Sequence, residues 1–280
     1  MDNNIFSGIK DLASLFYVPR EVPTTILKTA LGLIYDIRVS GLRNIPRTGG
    51  AVLVCNHTDF LDVSIQASYI SRRIVFLGKN ELFAPHEPFL QYAKSPKSIF
   101  KNPILGSVFP LLEQFLNTLS DVHKEQMKIW GGIPVIRSFQ GESAKDAVAY
   151  YEALEEQMVG LLKDGELLSI FPEGTRSKDG RMSSFKAMAA KVAIRAGVPI
   201  IPSGISGAWN MSELEAFITG KAFKTIINYN IGNPLLSEQY PPGSDKKAAK
   251  IVTEELEKRV RFLTVSPERR SRSRRFSNLL

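Results

Sequence analysis

Cysteine is almost absent from this chain of 280 residues: Cys55 is the only one, which excludes an intramolecular disulfide framework. Cys55 ends the apolar run Ala51–Cys55, where a small buried hydrophobe is a better interpretation than a thiol nucleophile. Long apolar runs are missing as well. No stretch approaches the ~18 apolar residues of a spanning helix, so we expect that the chain does not cross a membrane by itself. The first residues lack a basic segment followed by an apolar core, so no secretory signal is expected.

The composition indicates a globular chain that binds something anionic. Hydrophobic residues make up 44% and charged residues 23%, which suits a substantial core in one large domain with small helical additions. The net charge of +8 favours an acidic membrane surface, a phosphorylated substrate or nucleic acid. Five arginines stand near the end of the chain: Arg269, Arg270, Arg272, Arg274 and Arg275. Such a basic tail (265–280) is typical of disorder and also of electrostatic anchoring to anionic lipid. No aromatic residue stands between these arginines, so we expect no nucleic-acid partner.

The first 35 residues predict two amphipathic helices. Apolar residues recur at helical spacing from Ile5 to Phe16, and Pro19 and Pro23 break the pattern. Thr24 or Thr25 can cap a second helix that continues to Ile34. These helices either pack on the main domain or lie in a lipid interface, and the basic net charge slightly favours the interface.

Strands and helices alternate from residue 36 to residue 264. The predicted strands are Asp36–Ser40, Ala51–Asn56, Ile74–Leu77, Ile133–Ile136, Leu167–Phe171, Ile200–Ile205 and Thr225–Ile231. The predicted helices are Phe60–Ile70, Ser107–Leu119, Ala144–Lys163, Phe185–Ala196 and Lys246–Leu263. This alternation predicts a single α/β domain with a mostly parallel sheet covered by helices. In such sheets ligands bind beyond the carboxyl ends of the strands. Both His57 and the segment Pro172–Ser177 directly follow predicted strands, so we treat them as one site.

His57 is a candidate general base and Asp62 a carboxylate spaced to orient it. Residues five apart on one helix point roughly 140° apart and cannot touch, given 3.6 residues per turn. A loop followed by the first turn of a helix, with Thr58 or Asp59 as N-cap, brings them together. Asp62 would then accept a hydrogen bond from one ring nitrogen and leave the other free to take a proton. The alternative is that Asp62 only favours the helix dipole and His57 has no role.

The segment Phe171–Ser177 suits an anion. A tight turn at Gly174 allows close backbone approach, and Arg176 can grip phosphate through two parallel hydrogen bonds. Glu173 can orient that arginine or a substrate hydroxyl. The alternative is a surface turn with a Glu–Arg ion pair.

Together these segments resemble the glycerolipid acyltransferase family that includes 1-acylglycerol-3-phosphate acyltransferases. Asn56–Asp62 is similar to its block N-H-x-x-x-x-D, and Phe171–Ser177 matches F-P-E-G-T-R-S residue for residue. Three further segments resemble family blocks in order: Lys79–Phe83, Gly132–Arg137 and Val198–Pro202. The resemblance covers about residues 40 to 233, and its ordered blocks are far more specific than one short motif.

The resemblance implies a reaction without a covalent acyl-enzyme. His57, oriented by Asp62, would remove the proton from a glycerol hydroxyl that attacks the thioester of acyl-CoA or acyl-carrier protein. Arg137 and Arg176 would hold the acceptor phosphate, with Gly174 and Thr175 shaping the loop and Glu173 assisting acceptor binding. Lys79 and Gly132 are further candidates. The implied partners are a membrane surface at its cytoplasmic face and a lysophospholipid, with no cofactor beyond the acyl donor.

The acceptor that the resemblance favours is 1-acylglycerol-3-phosphate, whose free hydroxyl would be acylated to give phosphatidic acid. Glycerol-3-phosphate and a lysophospholipid with a larger headgroup are the alternative acceptors. A catalytically silent lipid-binding protein is the alternative from another class.

The stretch 84–131 is long for this family and is either a surface insertion or a lid over an acyl-chain channel. Pro134 removes a strand hydrogen bond and predicts an edge strand. His86 and His123 lack a second histidine at metal spacing, so no metal is expected.

Overall fold

The structure, a computed structural model, describes residues 17–95, 98–136 and 144–265. Three features predicted above therefore lie outside the described residues: the helix within 5–16, Arg137, and the basic tail from residue 266 onward. No helix of the described ranges contains a stretch of 18 residues apolar enough to cross a bilayer.

The described elements alternate between strands and helices as the sequence predicts. The strands are β1 (Asp36–Ser40), β2 (Ala51–Cys55), β3 (Ile74–Lys79), β4 (Gly132–Val135), β5 (Leu167–Ile170), β6 (Ile200–Ser206) and β7 (Ile226–Ile231). The α-helices are α1 (Glu21–Ile34), α2 (Leu61–Tyr69), α3 (Glu87–Lys94), α4 (Pro103–Ile129), α5 (Ala144–Lys163), α6 (Met188–Ala196), α7 (Leu214–Ile218) and α8 (Asp245–Leu263).

The chain divides into two compact units, with boundaries inside α1, inside β3 and after residue 139. The described part of the larger unit comprises residues 24–75 and 144–265, and that of the smaller unit comprises 17–23 and 76–136. The domain limits predicted from the sequence, 1–35, 36–264 and 265–280, stay predictions.

Five strands of the larger unit are hydrogen-bonded in the order β1-β7-β6-β2-β5. β2 lies between β5 and β6 and is parallel to both, with Val54 opposite Ile170 on one side and Pro202 on the other. β7 runs antiparallel to β6 and parallel to β1. The predicted α/β class with a mostly parallel sheet is confirmed.

The core of the larger unit surrounds β2. All five residues of β2 are fully buried, as expected for a strand covered on both faces. Helix α6 packs against α5 and α8, and it presents Ala189, Ala190, Val192 and Ala193 as buried residues. This packing makes β2 a rigid base for the residues that follow it.

In the smaller unit β4 pairs with β3 in parallel and stands at the end of the strand order, as Pro134 predicts. Helices α3 and α4 both lie within the stretch 84–131. The prediction placed this second helix at Ser107–Leu119, whereas α4 runs from Pro103 to Ile129. The helix starts earlier than predicted because Pro103 lies in its first turn, where proline is tolerated. It ends later because the polar residues after Leu119 interrupt the apolar periodicity from which the prediction was made.

Helix α1 differs from its prediction at the start. It begins at Glu21 instead of at Thr24 or Thr25, so Pro23 lies inside its first turn instead of before it. A first-turn proline lacks only an N–H that would have no helical partner, which explains why it does not end the helix.

Candidate active site

The two motif segments lie at one edge of the sheet because the strands before them are parallel neighbours. β2 ends at Cys55 and β5 at Ile170, with their residues in register. The backbone N–H of Ser177 donates to the carbonyl of His57 over 2.8 Å, so the second segment contacts the first directly. The prediction that both belong to one site rests on this arrangement of parallel strands.

His57 and Asp62 are joined by the predicted hydrogen bond. Nδ1 of His57 lies 2.9 Å from Oδ2 of Asp62, and both residues are buried. The same oxygen accepts the backbone N–H groups of Thr58 at 2.6 Å and Asp59 at 2.9 Å. A carboxylate that already accepts two N–H donors favours a proton on Nδ1. Nε2 is then the ring nitrogen with a lone pair, and it has no hydrogen-bond partner within the described residues.

The turn before α2 produces this contact. Asp59 accepts the N–H of Leu61 through Oδ1 at 3.0 Å, two residues on, and the helix starts at Leu61. Asp62 therefore lies in the first turn, where its carboxylate both favours the helix dipole and reaches back to His57. Asp62 therefore makes the contacts that the structural and the functional interpretation each require.

Phe171 forms one wall of the site. Its ring stacks on that of His57 with the centroids 4.2 Å apart and the planes 23° apart. The stacking and the bond to Asp62 together fix the imidazole in one orientation.

Glu173 has a different set of contacts from the one expected. Its Oε1 accepts the backbone N–H of His57 and its Oε2 accepts that of Ser183, each over 2.7 Å. The expectation that it orients Arg176 is not met, because both carboxylate oxygens are taken by backbone groups. Burial raises the pKa of Glu173, although the two N–H donors act in the opposite direction. Glu173 therefore links the segment Phe171–Ser177, to which it belongs, to the segment Asn56–Asp62 through the N–H of His57.

Arg176 lies on an aromatic surface. Its guanidinium carbon is 3.7 Å from the ring centroid of Phe60, which is itself 59% exposed. This cation–π contact holds an exposed positive charge beside the loop. Within the described chain Arg176 has no carboxylate at ion-pair distance, and the residue is exposed.

Gly174 and Lys186 are packed against each other. Gly174 has φ +75° and its N–H donates to the carbonyl of Phe171 over 3.0 Å, which closes the tight turn. A Cβ added to Gly174 would come within 2.8 Å of Nζ of Lys186, so the lysine amino group lies directly over this glycine. The predicted helix Phe185–Ala196 includes Lys186, whereas α6 begins at Met188, so the sequence did not indicate this second cation beside the turn. The spacing after the glycine turn gives no sign of it, because residues 175–185 form a loop that returns to the turn.

Asn56 is a second residue that sequence reasoning did not assign. Its Oδ1 accepts the N–H of Ile205 at 2.8 Å, and its Nδ2 donates to the carbonyl of the same residue at 2.9 Å. The side chain thus binds β6 to the end of β2. It fixes the backbone one residue before His57.

The remaining predicted site residues lie in other surroundings. Thr175 is exposed in the loop beside Arg176, and Arg137 lies outside the described residues. Lys79 ends β3 and Gly132 begins β4, both in the smaller unit. Cys55 is fully buried, and this burial raises the pKa of its thiol, which suits a packing role and not a nucleophile.

Residues 36–206 match the family model described as Acyltransferase. A chloroplastic 1-acyl-sn-glycerol-3-phosphate acyltransferase of Arabidopsis thaliana, LPAT1, is 33% identical over 174 residues, which are 62% of this chain and 36% of that protein. A protein of the same name from Bacillus subtilis (strain 168) is 26% identical over 237 residues, 85% of this chain and 92% of that protein.

The chain spans little more than a third of the two plant relatives, 36% of LPAT1 and 38% of BAT2 from Brassica napus. Among solved structures, the 1-acyl-sn-glycerophosphate acyltransferase PlsC from Thermotoga maritima is 19% identical with a TM-score of 0.48, over 90% of this chain and 88% of that one.

Proposed function

Because the chain belongs to the acyltransferase family, we propose that it transfers a fatty acyl group from acyl-CoA or acyl-carrier protein to the free hydroxyl of 1-acylglycerol-3-phosphate. The product is phosphatidic acid. The observation that supports this most strongly is the pairing of His57 with Asp62 beside the exposed cation of Arg176. A base and an anion site in one loop cluster are what a phosphorylated alcohol requires.

The chemical step begins at Nε2 of His57. It takes the proton of the acceptor hydroxyl while the hydroxyl oxygen attacks the thioester carbonyl carbon. The tetrahedral adduct collapses with cleavage of the carbon–sulfur bond, and the imidazolium returns its proton to the leaving thiolate. Atoms and charge balance without a covalent acyl-enzyme. Asp62 stabilises the imidazolium while it exists, through the hydrogen bond to Nδ1.

The acceptor phosphate binds at the loop Glu173–Ser177. Arg176 supplies a planar pair of donors, and its stacking on Phe60 orients that plane before the ligand arrives. Lys186 adds a second positive charge at Gly174. Thr175 stays a further candidate in this role, while Arg137, Lys79 and Gly132 stay predictions from the sequence. Glu173 acts through the loop that it holds and not by touching the phosphate.

The proposed location is a membrane surface on its cytoplasmic side. Helix α1 exposes Ile26 to 65% and Leu33 to 81%, which is a large apolar exposure for one helix. The net charge of +8 suits anionic headgroups. We propose that the N-terminal helices contact lipid, and that the lipid acceptor reaches the site from the same bilayer.

The test is an acyl-transfer assay with liposomes and labelled acyl donor. Parallel reactions contain lysophosphatidate, glycerol-3-phosphate or lysophosphatidylcholine as acceptor, each with acyl-CoA and with acyl-carrier protein. We expect labelled phosphatidic acid with lysophosphatidate, and loss of acceptor affinity in Arg176→Gln. Transfer to lysophosphatidylcholine alone would overturn the acceptor assignment. No transfer to any acceptor would favour a silent lipid-binding protein.

A further inference from the structure

An exposed apolar surface follows β6 and has no part in the chemistry above. Leu214 is 72% exposed, Ile218 76% and Phe223 59%. Leu214 and Ile218 are four residues apart on α7 and therefore share one face. Single exposed apolar residues are ordinary, but three large ones within ten residues form a patch that indicates a partner. We call these three residues, with the exposed Lys221 and Lys224, the 214–224 surface.

This surface stands on a fixed scaffold. The rings of Phe217 and Phe223 meet edge-on with centroids 6.2 Å apart, and the N–H of Ala222 donates to the carbonyl of Ala216 over 2.9 Å. Ala216 is 4% exposed and Ala222 is fully buried. The apolar side chains therefore point outward because the buried residues between them hold the segment in place.

The strand register places this surface at the active-site edge of the sheet. β6 is parallel to β2, so it ends at the edge where His57 follows β2. β7 is antiparallel to β6, with Ser206 opposite Asn228, so β7 begins at that same edge. The segment that joins these two strands includes α7 and Phe223. It must therefore lie at the end of the sheet that carries the catalytic base.

Hydrogen bonds connect the surface to the catalytic turn and to α1. The N–H of Ser212, two residues before α7, donates to Oδ2 of Asp59 over 3.3 Å. The hydroxyl of Tyr35 donates to the carbonyl of Met211 over 2.9 Å, and its ring meets that of Phe217 at 6.3 Å. Tyr35 directly follows α1, where Leu33 is exposed. The end of α1 and the 214–224 surface are thus neighbours.

We propose that the 214–224 surface is a second lipid-contacting segment, distinct from the N-terminal helices, that enters the interface of an anionic bilayer beside the active site. Leu214, Ile218 and Phe223 would dip below the headgroups, and Lys221 and Lys224 would meet anionic phosphates. Two exposed carboxylates also belong to this part of the chain: Glu213 precedes α7, and Glu215 lies on α7 between Leu214 and Ile218. A bilayer suits this surface better than a protein partner, because the 214–224 surface lies at the active-site edge of the sheet, where a lipid acceptor must arrive. That this contact serves the delivery of a lipid acceptor rests on the proposed function.

The first test uses the single cysteine. Because Cys55 is fully buried, Ile218→Cys can be labelled selectively with an environment-sensitive fluorophore in the full chain. We expect a blue shift on addition of vesicles of phosphatidylcholine with phosphatidylglycerol. The matched control is Ile251→Cys, which replaces a residue 44% exposed on α8. An unshifted label at 218, or an equal shift at both positions, would overturn the proposal.

The second test measures vesicle binding by co-sedimentation of the full chain. The variant Leu214→Ser/Ile218→Ser/Phe223→Ser should bind these vesicles at least about tenfold more weakly, since interfacial binding scales with buried apolar area. The control Val148→Ser/Ile251→Ser should bind as the unsubstituted chain does. Lys221→Gln/Lys224→Gln should weaken binding only to the vesicles that contain phosphatidylglycerol. A triple variant within threefold of the unsubstituted chain contradicts the proposal.

Failure of this proposal and failure of the proposed function give different results. Turnover of a short-chain lysophosphatidate, in solution and without vesicles, reports on the chemistry alone. The triple variant should match the unsubstituted chain there, because it leaves His57 and Arg176 in place. If neither protein turns over that substrate while vesicle binding still depends on the three residues, the function fails and the surface stands.

Discussion

Glu173 Oε1 accepts the backbone N–H of His57 over 2.7 Å, and this bond joins two motif segments that stand 116 residues apart in the chain. The other oxygen of the same carboxylate accepts the N–H of Ser183. One buried side chain therefore holds His57 and Ser183, two distant parts of the chain, in fixed positions. Preorganisation of this kind is a large part of what an enzyme site supplies, because small displacements of a base are costly in rate.

Replacing Glu173 with Gln tests this link. The amide keeps the shape but leaves one acceptor oxygen, so one of the two backbone N–H groups loses its partner. We expect kcat to fall about tenfold or more, through displacement of His57. Steady-state kinetics with lysophosphatidate as acceptor measure this fall in kcat. Glu213→Gln, an exposed carboxylate near α7, is the control and should leave kcat unchanged.

The same variant makes a prediction about pH and stability. Burial raises the pKa of Glu173 above its usual value of 4.5, so the folded chain opposes its ionisation. The stability that Glu173 contributes is present below the unfolded pKa and is lost as pH rises through the raised folded pKa. The unfolding free energy of Glu173→Gln, relative to the unsubstituted chain, should therefore increase as pH rises from 4.5. Denaturant titrations at a series of pH values measure this difference in unfolding free energy. A difference that decreases as pH rises from 4.5 would show that the pKa of Glu173 is not raised in the folded chain.

Asp62→Asn should remove the charge while keeping most of the contacts. The asparagine cannot stabilise the imidazolium, and its amide group would face N–H donors that now meet a carboxylate. We expect kcat to fall by about 10² to 10⁴, the usual contribution of an oriented base, with little change in acceptor KM. Asp164→Asn, an exposed residue after α5, is the matched control. A kcat within tenfold of the unsubstituted chain would show that His57 does not depend on Asp62.

Gly174→Ala should disturb the phosphate loop in two ways. The left-handed backbone costs an alanine about 1–2 kcal/mol, and the new Cβ would meet the amino group of Lys186. Gly197→Ala shares the left-handed backbone, with φ +66°, but has open space around its Cβ. We expect both variants to lose stability in thermal unfolding, and only Gly174→Ala to raise the KM for lysophosphatidate. An equal KM in both would remove Lys186 and the Gly174 turn from the proposed site.

The sequence predicts the parts of this protein that depend on local pattern. The predicted strands match all seven described strands to within about two residues. A strand buried on both faces, such as Ala51–Cys55, is marked by a continuous apolar run, whereas β1 alternates between exposed and half-buried residues. The contact of His57 with Asp62 also follows from the chain locally, since a turn and one helical turn separate them. Helix α7 was not predicted: it has five residues and exposes its apolar face, so no buried stripe marks it.

Other features depend on contacts between distant segments, which a single sequence does not display. The motif suggested that Glu173 orients Arg176. Instead, its carboxylate accepts the backbone N–H groups of His57 and Ser183. Lys186 reaches Gly174 only because the loop between them folds back. Asn56 lies within the recognised motif, yet its role as a bridge to Ile205 requires knowing that β6 is the neighbour of β2.

Whether His57 is the base is decided by the turnover of His57→Ala with labelled acyl donor and lysophosphatidate in liposomes. We expect kcat to fall by at least about 10², with an unchanged thermal unfolding profile. His86→Ala and His123→Ala replace the other two histidines of the chain and should keep the full rate. Turnover of His57→Ala within tenfold of the unsubstituted chain would show that His57 is not the base.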